Sequence, residues 1–330
     1  MTRLASPLAP HLERFLEHKR ALGYIYRDGE WMIQALDRVA TDSGVKKAAV
    51  TESLIRQFVT SGGHGSRPDR LSVAREFSRF VFSELPHTFV PPRLFLGIRR
   101  RKPVVRVLSR QEAGRFLNVC ASLADKPTSR TRWLIHGTAL WVLLMTGLRR
   151  GEALGLADED VDLGAKVITI RRGKFGKSRF VPLAPDVADR LQEYRRMRGT
   201  RILPSRPTSA FFPNPTGHRA CNSRYLYGSF RAALRIASIP HRGRGHGPRL
   251  HDLRHTFACL RLLAWYENGA DLQAKLPLLA TYLGHVGLTS TQAYLHMTRD
   301  FVGEVVQRHH KRFGDLITAE PNHLTEAHAA

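Results

Sequence analysis

The sequence predicts a mainly α-helical protein that carries one small β-sheet and is divided into two domains. Apolar residues recur at helical spacing through roughly residues 8–86, with no strand pattern among them. Prolines then rule out a continuous helix over 86–107. Helical patterns return beyond this stretch, interrupted at 166–183 by two β-branched and aromatic runs around a glycine-containing turn. An all-α N-terminal domain followed by an α+β domain is therefore expected.

The N-terminal domain is predicted over residues 1–88 as a unit of four packed helices. Gly23 ends the first helix, Asp28 is placed to cap the second, and Thr51 is placed to cap the third. The fourth helix follows a glycine-rich turn. The basic residues of the domain could form a binding surface or an ordinary solvated face, and they include Arg67, Arg70, Arg75 and Arg79.

Residues 89–107 are predicted to be a basic linker. Pro91, Pro92 and Pro103 prevent a regular helix there. Four consecutive basic residues form a cluster that can lie along phosphates, namely Arg99, Arg100, Arg101 and Lys102. A merely soluble tether is the alternative.

The second domain is predicted over residues 108–316 and opens with a capping box formed by Ser109 and Glu112. Residues 133–145 are apolar nearly all round, so they are expected to form a buried helix, which Gly147 ends.

Charged residues follow directly after this buried helix. Arg149 comes two residues past Gly147, and Glu152 is within helical contact range of Arg149. Because charges beside a buried helix are rarely left unpaired, one explanation of Arg149 is a purely structural ion pair with Glu152.

Basic residues recur at later turns and loops. The turn of the hairpin at 166–183 carries Lys174 and Lys177, which can reach into a groove although turn lysines are often only solvated. A helix near 222–237 follows, and the loop at 241–249 is basic and glycine-spaced, a composition that suits phosphate contact.

The next helix buries its leucines on one face and presents His251, Arg254 and His255 on the opposite, polar face. Asp271 is placed to cap a further helical stretch, which Pro277 is expected to divide into two short helices.

The segment that follows predicts a helix end, a turn and a second short helix. Its sequence is YLGHVGLTSTQAYLH, and it carries His285 and Tyr294. An amphipathic piece is expected at 301–316 and a disordered tail at 317–330.

The charge balance points to a polyanionic partner. Lys and Arg number 52 against 28 Asp and Glu, a net charge of +24. No run of 18 apolar residues and no signal peptide is visible, so nucleic acid is favoured over a membrane. The three cysteines form no CxxC pattern and are expected to be reduced and buried, as in a cytoplasmic protein.

One set of residues suits the attack of a phenol on a phosphodiester. Two guanidiniums match the non-bridging phosphate oxygens and stabilise transition-state charge, a histidine can take the phenol proton, and a lysine can protonate the departing 5′-oxygen. No metal or cofactor is needed, because the arginines supply the positive charge. The residues are Arg149, Lys174, His251, Arg254, His285 and Tyr294.

Four segments resemble the signature boxes of the tyrosine recombinase (phage integrase) family, in the family's order. They are TGLRRGE, GKFGKSRFVPL, HDLRH and LGHVGLTSTQAYLH. The resemblance spans roughly 105–310, and the N-terminal helices are similar to the family's SAM-like core-binding domain. It implies a two-domain, C-shaped DNA clamp.

The resemblance also implies a role for each residue. Arg149 and Arg254 become the phosphate clamp, with Glu152 supporting the first arginine. Lys174 becomes the general acid, because it is the first lysine after the strand, and Lys177 is the alternative. The remaining roles are general base or donor for His251, a transition-state hydrogen bond for His285, and the nucleophile for Tyr294.

The implied activity is site-specific recombination of double-stranded DNA through a 3′-phosphotyrosyl intermediate. The family needs no cofactor and works as a homotetramer on paired sites. A nucleoid-associated enzyme of a mobile element, with accessory recombination proteins, is therefore expected. The residues predicted to contact DNA are Arg99, Arg100, Arg101, Lys102, Lys177, Arg179, Arg242 and Arg244.

One feature departs from the family pattern, because the segment 256–282 is longer than usual. His255 matches a family position that is usually structural.

Three alternatives were weighed. His251 and His255 are spaced like the ligands of an HExxH zinc protease, but Asp252 replaces the glutamate and no third ligand has a familiar spacing. A catalytically idle DNA-binding relative would be expected to lack some of the site residues. A type IB topoisomerase would use similar chemistry as a monomer.

Overall fold

The protein consists of two compact units, Met1–Pro103 and Val104–Ala330. Both are built mainly of α-helices, and the second contains a three-stranded sheet. The predicted mainly α class with a small sheet is therefore confirmed. The computed structural model describes residues 4–24, 26–63, 65–99, 104–122, 130–171, 178–201, 210–214, 220–243, 246–285, 287 and 289–295.

The first unit buries the apolar stripes of its helices in one core. Phe15 and Phe77 meet edge to face there, with ring centroids 5.6 Å apart. Thr51 caps the third helix as predicted, because its hydroxyl accepts from the amide of Leu54. The helices are α1 (Ala9–Ala21), α2 (Arg27–Asp42), α3 (Glu52–Thr60) and α4 (Arg67–Val81).

The predicted cap at Asp28 is wrong. Tyr26 occupies the N-cap position with φ of 47°, and Asp28 lies inside the first turn. The Tyr26 ring packs edge-on against Phe15 at 5.9 Å, so an aromatic contact sets the start of α2. The Asp28 carboxylate still complements the positive end of the helix dipole.

The predicted linker 89–107 is not a uniform tether. Phe89 and Phe95 pack together in the core of the first unit, with ring centroids 5.4 Å apart. Val107 is buried in the second unit, where the amide of Leu108 donates to the Thr256 hydroxyl. Apolar side chains thus tie both ends of the stretch to a core, and 100–103 lie outside the described residues.

The second unit surrounds the buried helix that the sequence predicts. That helix, α6, is fully buried at Leu134, Ile135 and Leu140. The predicted capping box forms at Ser109 and Glu112. The helices are α5 (Arg110–Ser122), α6 (Arg130–Thr146), α7 (Arg150–Leu154), α8 (Pro185–Arg201), α9 (Ser223–Ile236), α10 (Asp252–Glu267) and α11 (Leu272–Leu283).

The two predicted hairpin strands form two of the three strands of the sheet. Strands β2 (Val167–Ile170) and β3 (Arg179–Pro182) pair antiparallel, and β1 (Val161–Asp162) adds a short edge to β2. Two residues are too few for an alternating pattern, so β1 escaped sequence analysis. The turn at 172–177 and the segments 301–316 and 317–330 lie outside the described residues.

Helix α11 continues through Pro277, so the predicted division into two short helices is wrong. Proline removes one backbone hydrogen bond, but Leu276, Leu279 and Leu283 are buried on the same helix and hold it in place. Asp271 caps the helix as predicted, through the amide of Gln273.

Cys120, Cys221 and Cys259 are buried thiols and form no disulfide with one another, as the sequence predicts. Within the described ranges, no helix has the length and apolar character needed to cross a bilayer.

Candidate active site

A glycine turn at the end of α6 positions the first arginine. Gly147 adopts φ of 62°, and a side chain there would lie 2.5 Å from the ring of Phe257, so only glycine is accommodated. Arg149 then caps α7, and its guanidinium bonds to Glu152 at 2.7 Å. The structural ion pair considered for Arg149 therefore exists. The Arg149 side chain remains 23% exposed, so the ion pair does not remove it from contact with solvent.

The second arginine is more deeply buried than its place on the polar face of a helix suggests. Arg254, in the first turn of α10, is only 2% exposed. It donates to the carbonyl oxygens of Gly147 at 2.8 Å and Leu283 at 2.6 Å. Burial and the charge of Arg149 lower the pKa of Arg254 to about 10, so it stays charged at neutral pH.

Three consecutive backbone carbonyls at the end of α11 each accept a hydrogen bond from an arginine. Tyr282 accepts from Arg179 at 2.9 Å, Leu283 from Arg254, and Gly284 from Arg149 at 2.7 Å. The last carbonyls of a helix lack intrahelical partners and lie at the negative end of its dipole. This helix end therefore gathers cations from three distant segments.

Arg179, predicted to contact DNA, is mostly buried and bound to Glu152. Its side chain is 11% exposed, and it binds both carboxylate oxygens of Glu152 at 3.0 and 2.8 Å. Burial alone would raise the pKa of Glu152, but hydrogen bonds from Arg179 and Arg149 lower it to about 2. Glu152 thus links two arginines, and Arg179 serves the interior of the site.

The short helix over 289–295 brings Tyr294 against this cluster. The tyrosine is 2% exposed, and its ring belongs to a core that includes Phe257 and Leu283. Its hydroxyl lies 3.2 Å from Nδ1 of His255. Burial raises the pKa of the phenol, while the charge and a hydrogen bond of Arg254 act in the opposite direction.

His285 stacks on the tyrosine with ring centroids 5.9 Å apart. Its Nδ1 is 2.7 Å from the hydroxyl of the buried Thr291. Burial, followed by the charges of Arg254 and Arg149, lowers the pKa of His285 to about 4. This histidine is therefore neutral at physiological pH.

His251 lies at the open side of the site. It is exposed at the start of α10, and its ring meets that of His255 edge to face at 4.7 Å. Partial shielding from water and the charge of Arg254 lower the pKa of His251 as well. The cluster is thus open at His251 and Arg149 and closed at Arg254 and Tyr294.

The structure brings together five of the six predicted catalytic residues. The sixth, Lys174, lies outside the described residues, as do Lys177, Arg244 and the basic run 100–102. Arg99 and Arg242 are described and exposed.

Sequence analysis gave no catalytic role to one residue at the centre of the site, His255. A signal was present, because His251 and His255 are four residues apart and share a helix face. Their nearness to Tyr294 depends on a contact between residues 39 positions apart in the chain, which no local pattern encodes. In the described part of the chain, no group of three His, Cys, Asp or Glu side chains could hold a metal ion.

Known proteins with similar sequences belong to the family that the motifs of the site resemble. Residues 106–300 match the model of the phage integrase family. The protein y4rB of Sinorhizobium fredii, whose name describes an integrase or recombinase, is 30% identical over 92% of this chain and 97% of its own length. The tyrosine recombinase XerD of Brucella suis is 32% identical over 74% of this chain and 76% of its own.

Solved structures share the fold. XerH recombinase bound to its difH substrate has a TM-score of 0.56 at 18% identity, covering 92% of this chain and 84% of its own. The Tn1549 transposon integrase with circular intermediate DNA reaches 0.59 at 17% identity, covering 86% and 94%. The chain therefore belongs to the phage integrase family, the tyrosine recombinases that break and rejoin DNA strands in site-specific recombination.

Proposed function

We propose that Tyr294 is the nucleophile of this recombinase and that it forms a 3′-phosphotyrosyl intermediate with double-stranded DNA. One observation carries the proposal. The Tyr294 hydroxyl shares a single site with side chains from the α6–α7 junction, from α10 and from the residues after α11. A structural tyrosine needs no such group of cations around its hydroxyl.

Arg149 and Arg254 bind the non-bridging oxygens of the scissile phosphate. A guanidinium has five N–H donors, and Arg254 donates to the backbone carbonyls of Gly147 and Leu283 and hydrogen-bonds the Tyr294 side chain. Negative charge builds on the phosphoryl oxygens in the transition state, and fixed cations in a partly dry site stabilise it. Glu152 and Arg179 hold the first of these arginines in place.

The covalent step conserves atoms and charge. The phenol oxygen of Tyr294 forms a bond to phosphorus, the phenol proton passes to a base, and the bond from phosphorus to the 5′-oxygen breaks. Lys174 protonates that oxygen as it leaves, an assignment that rests on its motif. His285 donates a hydrogen bond to a phosphoryl oxygen, and attack by a 5′-hydroxyl reverses the sequence and rejoins the strand.

The first unit offers a second surface for the DNA backbone. Arg75 and Arg79 lie one helical turn apart on α4, and with Arg93 they line a groove of about 320 Å³. Burial and the charges of Arg79 and Arg93 lower the pKa of Arg75, so the three are within electrostatic reach of one another. Glu76 also lines the groove, but it is paired with Lys19 at 2.9 Å. Three neighbouring guanidiniums are stabilised by an external anion such as a phosphodiester.

Strand exchange requires two paired DNA sites, and we assign a homotetramer to that step. We also assign accessory proteins to the reaction and a location at the cytoplasmic nucleoid to the enzyme. Crosslinking of the chain on paired sites tests the assembly. Relaxation of supercoiled DNA by a monomer, without exchange, would instead favour the topoisomerase-like alternative.

Tyr294→Phe is the direct test. We expect the wild-type chain, incubated with nicked duplexes from the DNA flanking its gene, to form an adduct that survives denaturation. The variant is expected to form none, while its affinity for the same duplex changes by less than about threefold, because one hydroxyl contributes little to phosphate-dominated binding. An adduct that persists in Tyr294→Phe would exclude this tyrosine as nucleophile.

A further inference from the structure

His255 has the contact with the nucleophile that the family pattern assigns to His251. Its Nδ1 is 3.2 Å from the Tyr294 hydroxyl, and the two rings are 5.5 Å apart. The ring of His251 packs edge-on against His255 at 4.7 Å.

The surroundings keep His255 uncharged. Burial, together with the charges of His251, Arg249 and Arg254, lowers the pKa of His255 to about 4, although the carboxylate of Asp252 acts in the opposite direction. The other ionisable groups facing the ring are Tyr294 and His285. A neutral imidazole has one nitrogen that can accept a proton, and with hydrogen on Nε2 that nitrogen is Nδ1, which faces the phenol.

We propose that Nδ1 of His255 takes the proton of the Tyr294 hydroxyl during strand cleavage and returns it when the strand is rejoined. This assignment rests on the proposed role of Tyr294 and deepens it. In cleavage the Nδ1 lone pair binds the phenol proton, the freed oxygen pair forms the bond to phosphorus, and His255 becomes a cation. In rejoining the bond from tyrosine to phosphorus breaks, and the imidazolium returns the proton to the leaving phenolate.

Bound DNA favours protonation of the imidazole in this transfer. The scissile phosphate brings negative charge to a cluster that contains Arg149 and Arg254, so protonation of a nearby imidazole becomes less costly. The same negative charge opposes ionisation of the phenol, and Arg254 acts against that effect through its charge and hydrogen bond to Tyr294. Substrate therefore raises the proton affinity of His255 while Arg254 stabilises the developing phenolate.

His255→Ala tests the assignment in the full chain with nicked suicide duplexes. We expect the single-turnover cleavage rate to fall by about 10²- to 10⁴-fold, the usual contribution of a general base. Added imidazole should restore part of that rate. Replacing Tyr294 by 3-fluorotyrosine, whose phenol is more acidic, should shrink the difference between His255→Ala and the parent.

His136→Gln is the matched control. His136 is buried, whereas His255 is half-buried, but His136 too has its pKa lowered by burial to about 4 and bonds through Nδ1 to a hydroxyl, that of Ser229 at 2.7 Å. His136 lies on α6 and Ser229 on α9. The substitution His136→Gln therefore reports the cost of removing a buried histidine. Any effect of His136→Gln should be insensitive to imidazole and to fluorotyrosine.

The outcomes separate this assignment from the proposed function. Cleavage by His255→Ala within about threefold of the parent rate, or a loss that neither imidazole nor fluorotyrosine reduces, would overturn the role of His255 alone. Absence of any adduct with the wild-type chain on all flanking duplexes would overturn the role of Tyr294 and this assignment together.

Discussion

Glu152 shows how one residue can organise a cationic site. Its carboxylate is 7% exposed and binds Arg149 on one side and Arg179 on the other. Without it, two guanidiniums would share a confined space with Arg254 and only backbone carbonyls as partners. The carboxylate therefore offsets the repulsion between arginines that bind neighbouring carbonyls at one helix end.

Glu152→Gln should destabilise the fold by about 3 kcal/mol, because breaking a buried ion pair leaves charge uncompensated. Urea unfolding measures the change. Glu193→Gln removes an exposed partner of Arg196 and should cost less than about 1 kcal/mol. Equal losses of unfolding free energy in the two variants would show that the buried Glu152 ion pairs stabilise the fold no more than an exposed pair.

The stabilisation by Glu152 should also depend on pH in a defined direction. Its pKa is lowered from the ordinary value of 4.5 to about 2 in the folded protein, so the contribution is fully present above pH 4.5. It is lost as the pH falls from 4.5 towards 2, because protonation then favours the unfolded chain. The difference in unfolding free energy between wild type and Glu152→Gln should shrink across that window, and a constant difference would contradict the cause assigned to the shift.

At the scale of elements, the ends of two helices position the arginines of the candidate site. The end of α6 supplies the carbonyl of Gly147, and the end of α11 supplies three more for the arginines. The caps that sequence analysis identified at Thr51, Asp271 and Ser109 are local, since each joins groups two or three residues apart. The cap at Asp28 failed because a distant aromatic contact outweighed it.

Helix α4 gives a prediction at this scale. Arg75→Gln combined with Arg79→Gln should lower DNA affinity about tenfold at low salt and reduce the salt slope by about 2, because two phosphate contacts are lost. Binding measured by anisotropy over a salt series tests this. Arg20→Gln on α1 removes an arginine already paired with Glu30 and should change affinity less than twofold. Equal effects of the two changes would exclude the α4 groove as a DNA contact.

For the whole molecule, the excess of 24 positive charges dominates long-range behaviour. If 6 to 10 phosphates are contacted, affinity for DNA should fall by about 10³ to 10⁵ between 50 and 200 mM salt. Filter binding at fixed pH measures the slope. A flat profile would contradict binding through a basic surface.

The sequence by itself determined the helical stripes, the hairpin strands and most caps, and it indicated the candidate site residues. These depend on periodicity and on contacts between near neighbours, as in the pair Arg149 and Glu152. The motif boxes were sufficient to indicate the family before any coordinates were considered.

Only the tertiary structure decided how the site residues pair. Arg149 meets the carbonyl of Gly284 across 135 positions, and Arg179 meets Glu152 across 27. It also made Arg254 a buried residue and His255 the partner of Tyr294. Such pairs arise when separate apolar faces pack into one core, so their partners depend on the whole chain and leave no local period in the sequence.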